Sequence, residues 1–453
     1  MKLPRYPEYK NSGIEWLGNV PASWRVERFK VSVKSCRNGV WGGEPNGDSD
    51  DIECVRVADF DRARFVVNQG VPTLRSITER EREGRILEAG NLLLEKSGGG
   101  EVHPVGQVVL YEREVPAICS NFIARIELSA GMVPRYWMYQ HAAAYSRGVN
   151  VGSIKQTSGI QNLDQNQYLN EQGVYPTEYE QAAIAVFLDR ETAKIDALIA
   201  EQEKLIALLA EKRQATIFHA VTKGLNPSAP MKDSGVPWLG EVPAHWEIVP
   251  LKYVAELRSG GTPSKDNLDY WGGDIPWASA KDLKVERLGD TADHITQAAV
   301  ESGGASLVRQ GAILVVVRGM ILARMFPVVE TLVPMAINQD LKAVLPSARL
   351  SASFLAWLLR GSAGESLQRL DEAGHGTKAL RMDAWTSIHL PIPPLEEQAL
   401  VAEFVVKATT RLDELRTSAV RAIDLLTERR SALIAAAVTG QIDVRGEVAE
   451  VAA

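Results

Sequence analysis

Cysteine is scarce in this chain. Its three copies, Cys36, Cys54 and Cys119, stand at unrelated spacings with no histidine pattern beside them. An odd count so arranged argues against a disulfide framework and a zinc site, and fits a reducing compartment. Long apolar runs are missing as well. The longest, such as Ile313 to Val317, fall far short of the roughly 20 residues that span a bilayer. The opening MKLPRYPEYKNSG has no apolar core and does not read as a signal peptide, so the expectation is a soluble protein of the cytoplasm. Positive charge is not in excess: the formal net charge is −7, which by itself gives no hint of a nucleic-acid partner.

Catalytic signatures are also absent. GGTPSKD and GHGTKAL place glycine near lysine without the G-x-x-x-x-G-K-S/T spacing that wraps a phosphate. No G-x-S-x-G elbow and no H-E-x-x-H helix occurs. An adenine methyltransferase would need a glycine-rich cofactor loop and an Asn/Asp-Pro-Pro-aromatic element. The only Pro-Pro, Pro393-Pro394, opens a helix and lacks the aromatic. The seven histidines are scattered, and single ones such as His103 read as surface or loop residues. The expectation is therefore no catalytic, cofactor-binding or metal site in this chain, which is not an enzyme by itself.

What the chain does contain is repetition. SGIEWLGNVPASW at residues 12–24 returns as SGVPWLGEVPAHW at 234–246, an offset of 222. A longer block, Gly159 to Gly224, aligns without a gap on Gly376 to Gln441 at a constant offset of 217. Within it Glu180-Gln181 matches Glu397-Gln398, Phe187 matches Phe404 and Asp196 matches Asp413. The segments between, roughly 25–158 and 247–375, share little sequence. Two repeats are too few for a solenoid; this is a duplicated domain whose frame was kept while its contents diverged.

The repeated blocks have helical periodicity. A seam of spacing three and four runs Ile184, Leu188, Glu191, Ile195, Leu198, Gln202, Leu205, Leu209, Lys212 and Thr216. The same register in the second block runs from Val401, Val405, Ala408, Leu412 and Leu415 through Arg429 to Leu433. Such a seam predicts a coiled coil, and each helix of about 45 residues would be roughly 65 Å long. Antiparallel pairing would put the middle segments at opposite ends of a rod, and parallel pairing would put them side by side. Those middles read as mixed α/β: strands in CVRVADFD, GQVVLYE, NFIARIEL, AILVVVRG and DLKAVLP, helices in MVPRYWMYQHAAAYS and LSASFLAWLLRGSAGESLQRL.

Between the strands lie glycine-rich polar loops suited to contact with a polymer. Glycine lets backbone approach a phosphate closely, and neighbouring polar side chains can donate to phosphates or base edges. The candidates in the first half are Lys96, Ser97, Arg147, Lys155 and Gln156; in the second, Ser264, Lys265, Lys281, Arg318, Arg324, His375 and Lys378. Trp41, Tyr270, Trp271 and Trp277 are expected to anchor loops rather than to stack on bases. The repeated Trp16, Trp24, Trp238 and Trp246 are expected to anchor the frame.

These motifs occur in the same order twice, and together they resemble the specificity subunit of type I restriction-modification systems. SG-x-x-WLG-x-x-P-x-x-W precedes each middle segment, and SGGTPS with YWGGDIPW opens the second. SGGG…PVGQVVLYE with CSNFIARI lies in the first, and P-x-x-x-EQ-x-x-I-x-x-F enters the first helix, whose block closes on AVTKG as the second closes on AVTGQ. The likeness covers residues 12 to about 441. It implies an α+β architecture: two mixed α/β target recognition domains held apart by two long helices in an antiparallel coiled coil, with an internal pseudo-two-fold. The expected boundaries are 1–175 for the N-terminal conserved segment and first recognition domain, and 176–224 for the central helix. They continue with 225–390 for linker and second recognition domain, 391–441 for the C-terminal helix and 442–453 for a tail. The resemblance further implies double-stranded DNA read as two half-sites, two modification subunits that use S-adenosylmethionine to methylate adenine, and a restriction subunit using ATP and Mg2+. The remaining readings are the specificity module of a related restriction enzyme or orphan methylation system, and a coiled-coil interaction scaffold without DNA binding.

Overall fold

The computed structural model describes residues 3–100, 103–157, 159–372 and 377–447. These fall into two compact units, one drawn from Met1–Gln202 with Arg421–Ala453 and the other from Glu203–Val420. The division runs through both long helices, Glu178–Lys223 and Leu395–Val438, so each unit owns half of each.

In the first unit a six-stranded sheet has the order Val33–Asn38, Ile123–Leu128, Leu92–Glu95, Val108–Leu110, Val66–Val67, Phe60–Asp61. All four residues of Leu92–Glu95 are buried, as a central strand covered on both faces requires. The helix Pro134–Ser146, opened by its proline, buries Tyr136, Trp137 and Met138 in the core shared with this sheet. A second sheet joins Ala117–Cys119, Asp51–Val55 and Leu74–Ser76.

The second unit repeats this plan in different residues. Its five-stranded sheet runs Ala255–Ser259, Leu341–Pro346, Ile313–Val316, Val328–Thr331, Arg287–Leu288, with the buried central strand again flanked by the same neighbours. A four-stranded sheet contains Trp271–Ala278 and Met335–Ile337. The middle segments, unlike in sequence, are alike in topology. Two local expectations need correcting. CVRVADFD is not one strand, because the chain leaves the three-stranded sheet at Val55, makes a 3-10 turn at Val57–Asp59 and enters the six-stranded sheet at Phe60–Asp61. LSASFLAWLLRGSAGESLQRL breaks into Ala352–Gly361 and Ala363–Leu367. At the break Gly361 lies so close to the long helix that a Cβ would stand 2.9 Å from Val221 Cγ2.

Within each unit the two half-helices run antiparallel. Ile184 and Leu188 share a core with Ile434 and Val438 in the first unit, and Ile217 and Val221 share one with Val401 and Val405 in the second. The seam is half as expected. Leu188, Ile195 and Leu209 face inward, but Leu198 and Leu205 are exposed, and the inward positions beside them are Thr192, Ile199, Ile206 and Arg213. On the second helix Thr409 and Arg430 are buried whereas Leu415 and Arg429 are exposed. One heptad position was phased correctly and the other by one residue too few. Steps of three and of four both stay on one stripe of a 3.6-residue helix, and only the opposing surface decides between them.

That shift puts two arginines where they act. Arg430 Nε donates to Asp196 Oδ1 at 2.9 Å, and Arg213 Nε reaches the Asp413 carboxylate at 3.3 Å. The two pairs are equivalent under the 217-residue offset. Each arginine also touches the middle segment of its own unit. Arg430 lies 5.0 Å over the ring of Phe65, a residue in the left-handed region at φ 59°, and Arg213 pairs with Glu286. Arg430→Ala would leave a partly buried Asp196 without its partner and uncover Phe65. It is expected to lower stability by about 2 kcal/mol, read from the urea midpoint, whereas the exposed neighbour variant Arg429→Ala leaves the midpoint within about 0.5 kcal/mol.

The repeated end motifs form a lock, made once in each unit. Trp24 is fully buried and its Nε1 donates to Glu180 Oε1 at 3.2 Å; Trp246 is fully buried and donates to Glu397 Oε2 at 3.0 Å. The adjacent glutamines tie the long helix to the start of the domain helix. Gln181 Oε1 accepts from Val133 N at 3.0 Å, and Gln398 Oε1 accepts from Ser351 N at 2.8 Å. Gly224 and Gly440, both at φ 72°, end the long helices and lie against Trp246 and Trp24 respectively. The WLG and EQ motifs are thus two sides of one contact.

Candidate nucleic-acid interface

Each unit carries a third, small sheet built from segments far apart in sequence. In the first, Ser97–Gly98 pairs with Ile160–Leu163, which pairs with Ile154–Thr157. The register lines up Ser97, Asn162 and Lys155 in one row across the strands, and Gly98, Gln161 and Gln156 in the next. Successive rows face opposite sides of a sheet. Ser97 Oγ donates to Asn162 Oδ1 at 2.5 Å, and Gln161 Oε1 accepts from Val105 N at 3.1 Å. Lys96, one residue before the strand, donates to Asn38 Oδ1 at 2.6 Å. Lys155 Nζ lies 2.7 Å from Asp164 Oδ2, and this hydrogen bond holds the Asp164 carboxyl below its usual range.

In the second unit Arg318–Gly319 pairs with Lys378–Leu380, which pairs with Leu370–Glu372. The corresponding rows are Arg318, Ala379, Asp371 and Gly319, Lys378, Glu372. Lys378 Nζ is 2.6 Å from Glu372 Oε1 and draws that carboxyl below its usual range. The two sheets have the same strand order and the same glycine in the first strand. Their remaining side chains differ: Ser, Asn and Lys in one row, Arg, Ala and Asp in its counterpart. A common scaffold with exchanged polar groups can present different donor and acceptor patterns to a polymer.

Five of the candidates, Ser97, Lys155, Gln156, Arg318 and Lys378, therefore stand on these two sheets, with Lys96 beside the first. His375 lies outside the described residues. The others stand elsewhere. Arg147 follows the helix Pro134–Ser146 and lines a pocket with Trp16, Asn19 and Ala435, so it belongs to the frame. Ser264 and Lys265 precede the strand Trp271–Ala278, where the Ser264 carbonyl accepts from Trp271 Nε1 at 3.1 Å. Lys281 pairs with Asp293 at 2.7 Å, and that bond raises the lysine above its ordinary range. Arg324 follows the 3-10 turn Met320–Ala323, close in chain to Arg318. Among the described residues Lys265, Arg318 and Arg324 have no ion-pair partner, whereas Lys155, Lys281 and Lys378 would have to exchange a carboxylate for a phosphate.

Trp271 and Trp277 are loop anchors, in contact edge to face at 5.2 Å, with Trp277 Nε1 donating to the Gly261 carbonyl at 3.0 Å. Sequence reasoning passed over Asn162, Gln161 and Asp371. Asn162 and Gln161 pair with Ser97 and Gly98 across some sixty residues, and Asp371 joins its row through Ala379, itself opposite Arg318; no local pattern carries such pairings. No described helix is long and apolar enough to cross a membrane.

Comparison with known proteins fits this geometry. The family model described as "Type I restriction modification DNA specificity domain" matches residues 243–419. The Escherichia coli type I restriction enzyme EcoR124I/EcoR124II specificity subunit is 29% identical over 187 residues, 41% of this chain and 45% of that protein. The match thus spans less than half of that relative's length. For the fold, the HsdS subunit from Thermoanaerobacter tengcongensis aligns with TM-score 0.52 and 14% identity over 93% of this chain and 98% of its own. A solved chain of a type I R-M system aligns with TM-score 0.64 and 16% identity over 92% and 98%. Residues 243–419 thus match a type I restriction modification DNA specificity domain, and the fold over more than nine-tenths of the chain is similar to that of the HsdS specificity subunit.

Proposed function

We propose that this chain reads a bipartite DNA sequence, one half-site by each recognition domain, and directs adenine methylation and restriction by partner subunits. The observation that carries the reading is the duplicated small sheet, the same three strands bearing Ser97, Asn162 and Lys155 in one unit and Arg318, Ala379 and Asp371 in the other. Two readers of one build and different side chains suit two half-sites of different sequence. The chain supplies binding and positioning. The reactions belong to its partners: S-adenosylmethionine to two modification subunits, ATP and Mg2+ to a restriction subunit. DNA as the working substrate puts the assembly in the cytoplasm. The twofold count of modification subunits is supported by apolar side chains left exposed at equivalent places, Leu198 and Leu425 in the first unit, Leu415 and Leu208 in the second.

Sequencing methylated adenines in the host genome with and without this gene tests the reading: one bipartite motif should vanish. Exchanging residues 247–375 for another head should change one half-site and keep the other, and a simultaneous change in both would refute two separate readers. The net charge of −7 has a consequence too. Phosphate contacts are shared with the partners while base contacts stay local, so log Kd against log salt should be steeper for the assembly than for this chain alone. Equal slopes would sink that division of labour.

A further inference from the structure

The first unit has a pocket that its own fold does not use. About 350 Å3 in volume, it is lined by Trp41, Arg56, Val57, Ala58, Ser120, Asn121 and Phe122, with the Arg56 guanidinium already engaged by Asp59 through Nε at 3.3 Å and Nη2 at 3.1 Å. Two large aromatics are left open beside it: Phe122 is 54% exposed and Trp41 38%, in a unit that fully buries Trp24, Tyr136 and Trp137. Ser120 is only 2% exposed, yet its Oγ has no hydrogen-bond partner. Buried hydroxyls are nearly always paired; this one is covered in the unliganded fold and is free to bond an incoming acceptor once it turns about χ1 toward the pocket.

The walls are held in place. The Arg75 guanidinium stacks 4.5 Å from the Trp41 ring centre and its Nε donates to the Trp41 carbonyl at 3.0 Å. Ser120 N donates to the Val55 carbonyl at 2.9 Å, and the Phe122 carbonyl accepts from Lys96 N at 2.8 Å and Ser97 N at 3.3 Å. The last two bonds join the pocket directly to the strand that begins the small sheet. The pocket is therefore continuous with the candidate interface and already shaped.

We propose that this pocket is a specificity determinant that receives the major-groove edge of a thymine in the half-site read by the first recognition domain. The inference rests on the reading of that domain as a DNA reader. Of the four bases only thymine presents a methyl group beside a carbonyl acceptor; guanine and adenine present N7 with a polar neighbour, and cytosine an amino donor. Apolar walls from Trp41, Val57, Ala58 and Phe122 take the methyl, Arg56 stays on Asp59, and the Ser120 hydroxyl turns from its covered position to donate to O4.

The test uses the assembled complex and duplexes carrying the motif found by methylation sequencing, with each thymine of the first half-site replaced in turn by deoxyuridine. Deoxyuridine lacks only the methyl. At one position binding should weaken about threefold to tenfold, the scale of one buried methyl or methylene. The exposed-residue variant Phe122→Ala should bind thymine and uracil there alike. Ser120→Ala should leave the urea midpoint unchanged or raised, since it removes an unpaired hydroxyl, while relaxing base choice at that position. Second half-site fidelity reports that every variant is folded and assembled. Absence of thymine from the first half-site, tolerance of deoxyuridine throughout, or a deoxyuridine effect that persists in Phe122→Ala each overturns the proposal. So does an equal loss on all sequences, which would mark the aromatics as a sequence-tolerant stacking platform. A methylome unchanged on gene deletion would instead refute the DNA-reading function itself.

Discussion

Replacing Gly39 with alanine is expected to unfold the sheets of the first unit while sparing those of the second. A Cβ at that position would lie 1.9 Å from the Cys119 carbonyl oxygen and 2.4 Å from that of Ser120. Both obstacles are backbone, held by Gly39 N to the Ile123 carbonyl at 2.9 Å and Val40 N to the Cys119 carbonyl at 2.9 Å. No rotamer change relieves such a clash, so the six-stranded and three-stranded sheets must part at their shared corner. The expected cost is about 3 kcal/mol or more, a large fraction of a domain's stability. Gly260 occupies the equivalent corner of the second unit, where a Cβ would lie 2.1 Å from both the Ile337 and Asn338 carbonyl oxygens. Gly39→Ala and Gly260→Ala should therefore be reciprocal: each gives an early unfolding step in calorimetry and, under the proposed function, loss of its own half-site discrimination only. A single cooperative transition shifted equally by both would contradict independent domains.

The other large effect belongs to the tryptophan lock. Trp24→Ala removes a fully buried indole and takes from Glu180 the donor at 3.2 Å, leaving that carboxylate on Thr177 and, at 3.8 Å, Arg445. Large-to-small changes of this kind cost about 3–5 kcal/mol, the carboxylate's lost partner included. Trp246→Ala should cost a comparable amount through Glu397, except that His245 Nε2, 2.7 Å from the same Oε2, can retain part of the bond. Trp24→Phe should recover most of the packing term and none of the hydrogen bond, so denaturation midpoints of the three variants separate the two contributions. Because the lock fastens the frame rather than the sheets, base preference should survive in whatever fraction remains folded. Altered preference with unchanged stability would place Trp24 in the reading surface instead.

Much of this molecule is legible in one sequence because it is written twice. WLG, EQ and the 217-residue offset mark the frame, and heptad periodicity marks the helices. Repetition exposes positions that share one local job, so their identity could be read without coordinates. Periodicity alone could not choose between Leu198 and Ile199, or between Arg429 and Arg430, for the seam. Adjacent helical positions differ by about 100°, both fit a broad apolar stripe, and only the opposing helix and Phe65 select one.

The candidate interface divides along the same line. Glycine-rich polar loops pointed to Ser97, Lys155, Gln156, Arg318 and Lys378 as candidates, and the fold places these five on the two small sheets. They did not give away that Ser97 stands opposite Asn162 and Asn162 opposite Lys155, or that Arg147 sits with the frame. Strands of two to four residues carry no periodic signal, and partners some sixty residues apart are chosen by the closing of the whole domain. The sequence by itself determined the duplication, the helices and the polar character of the loops, because local propensity and repetition act within a few turns of chain. Only the tertiary structure decided which side chains share a face, which cations are already paired and where Ser120 lacks a partner, because those depend on distances between segments that the chain order leaves free.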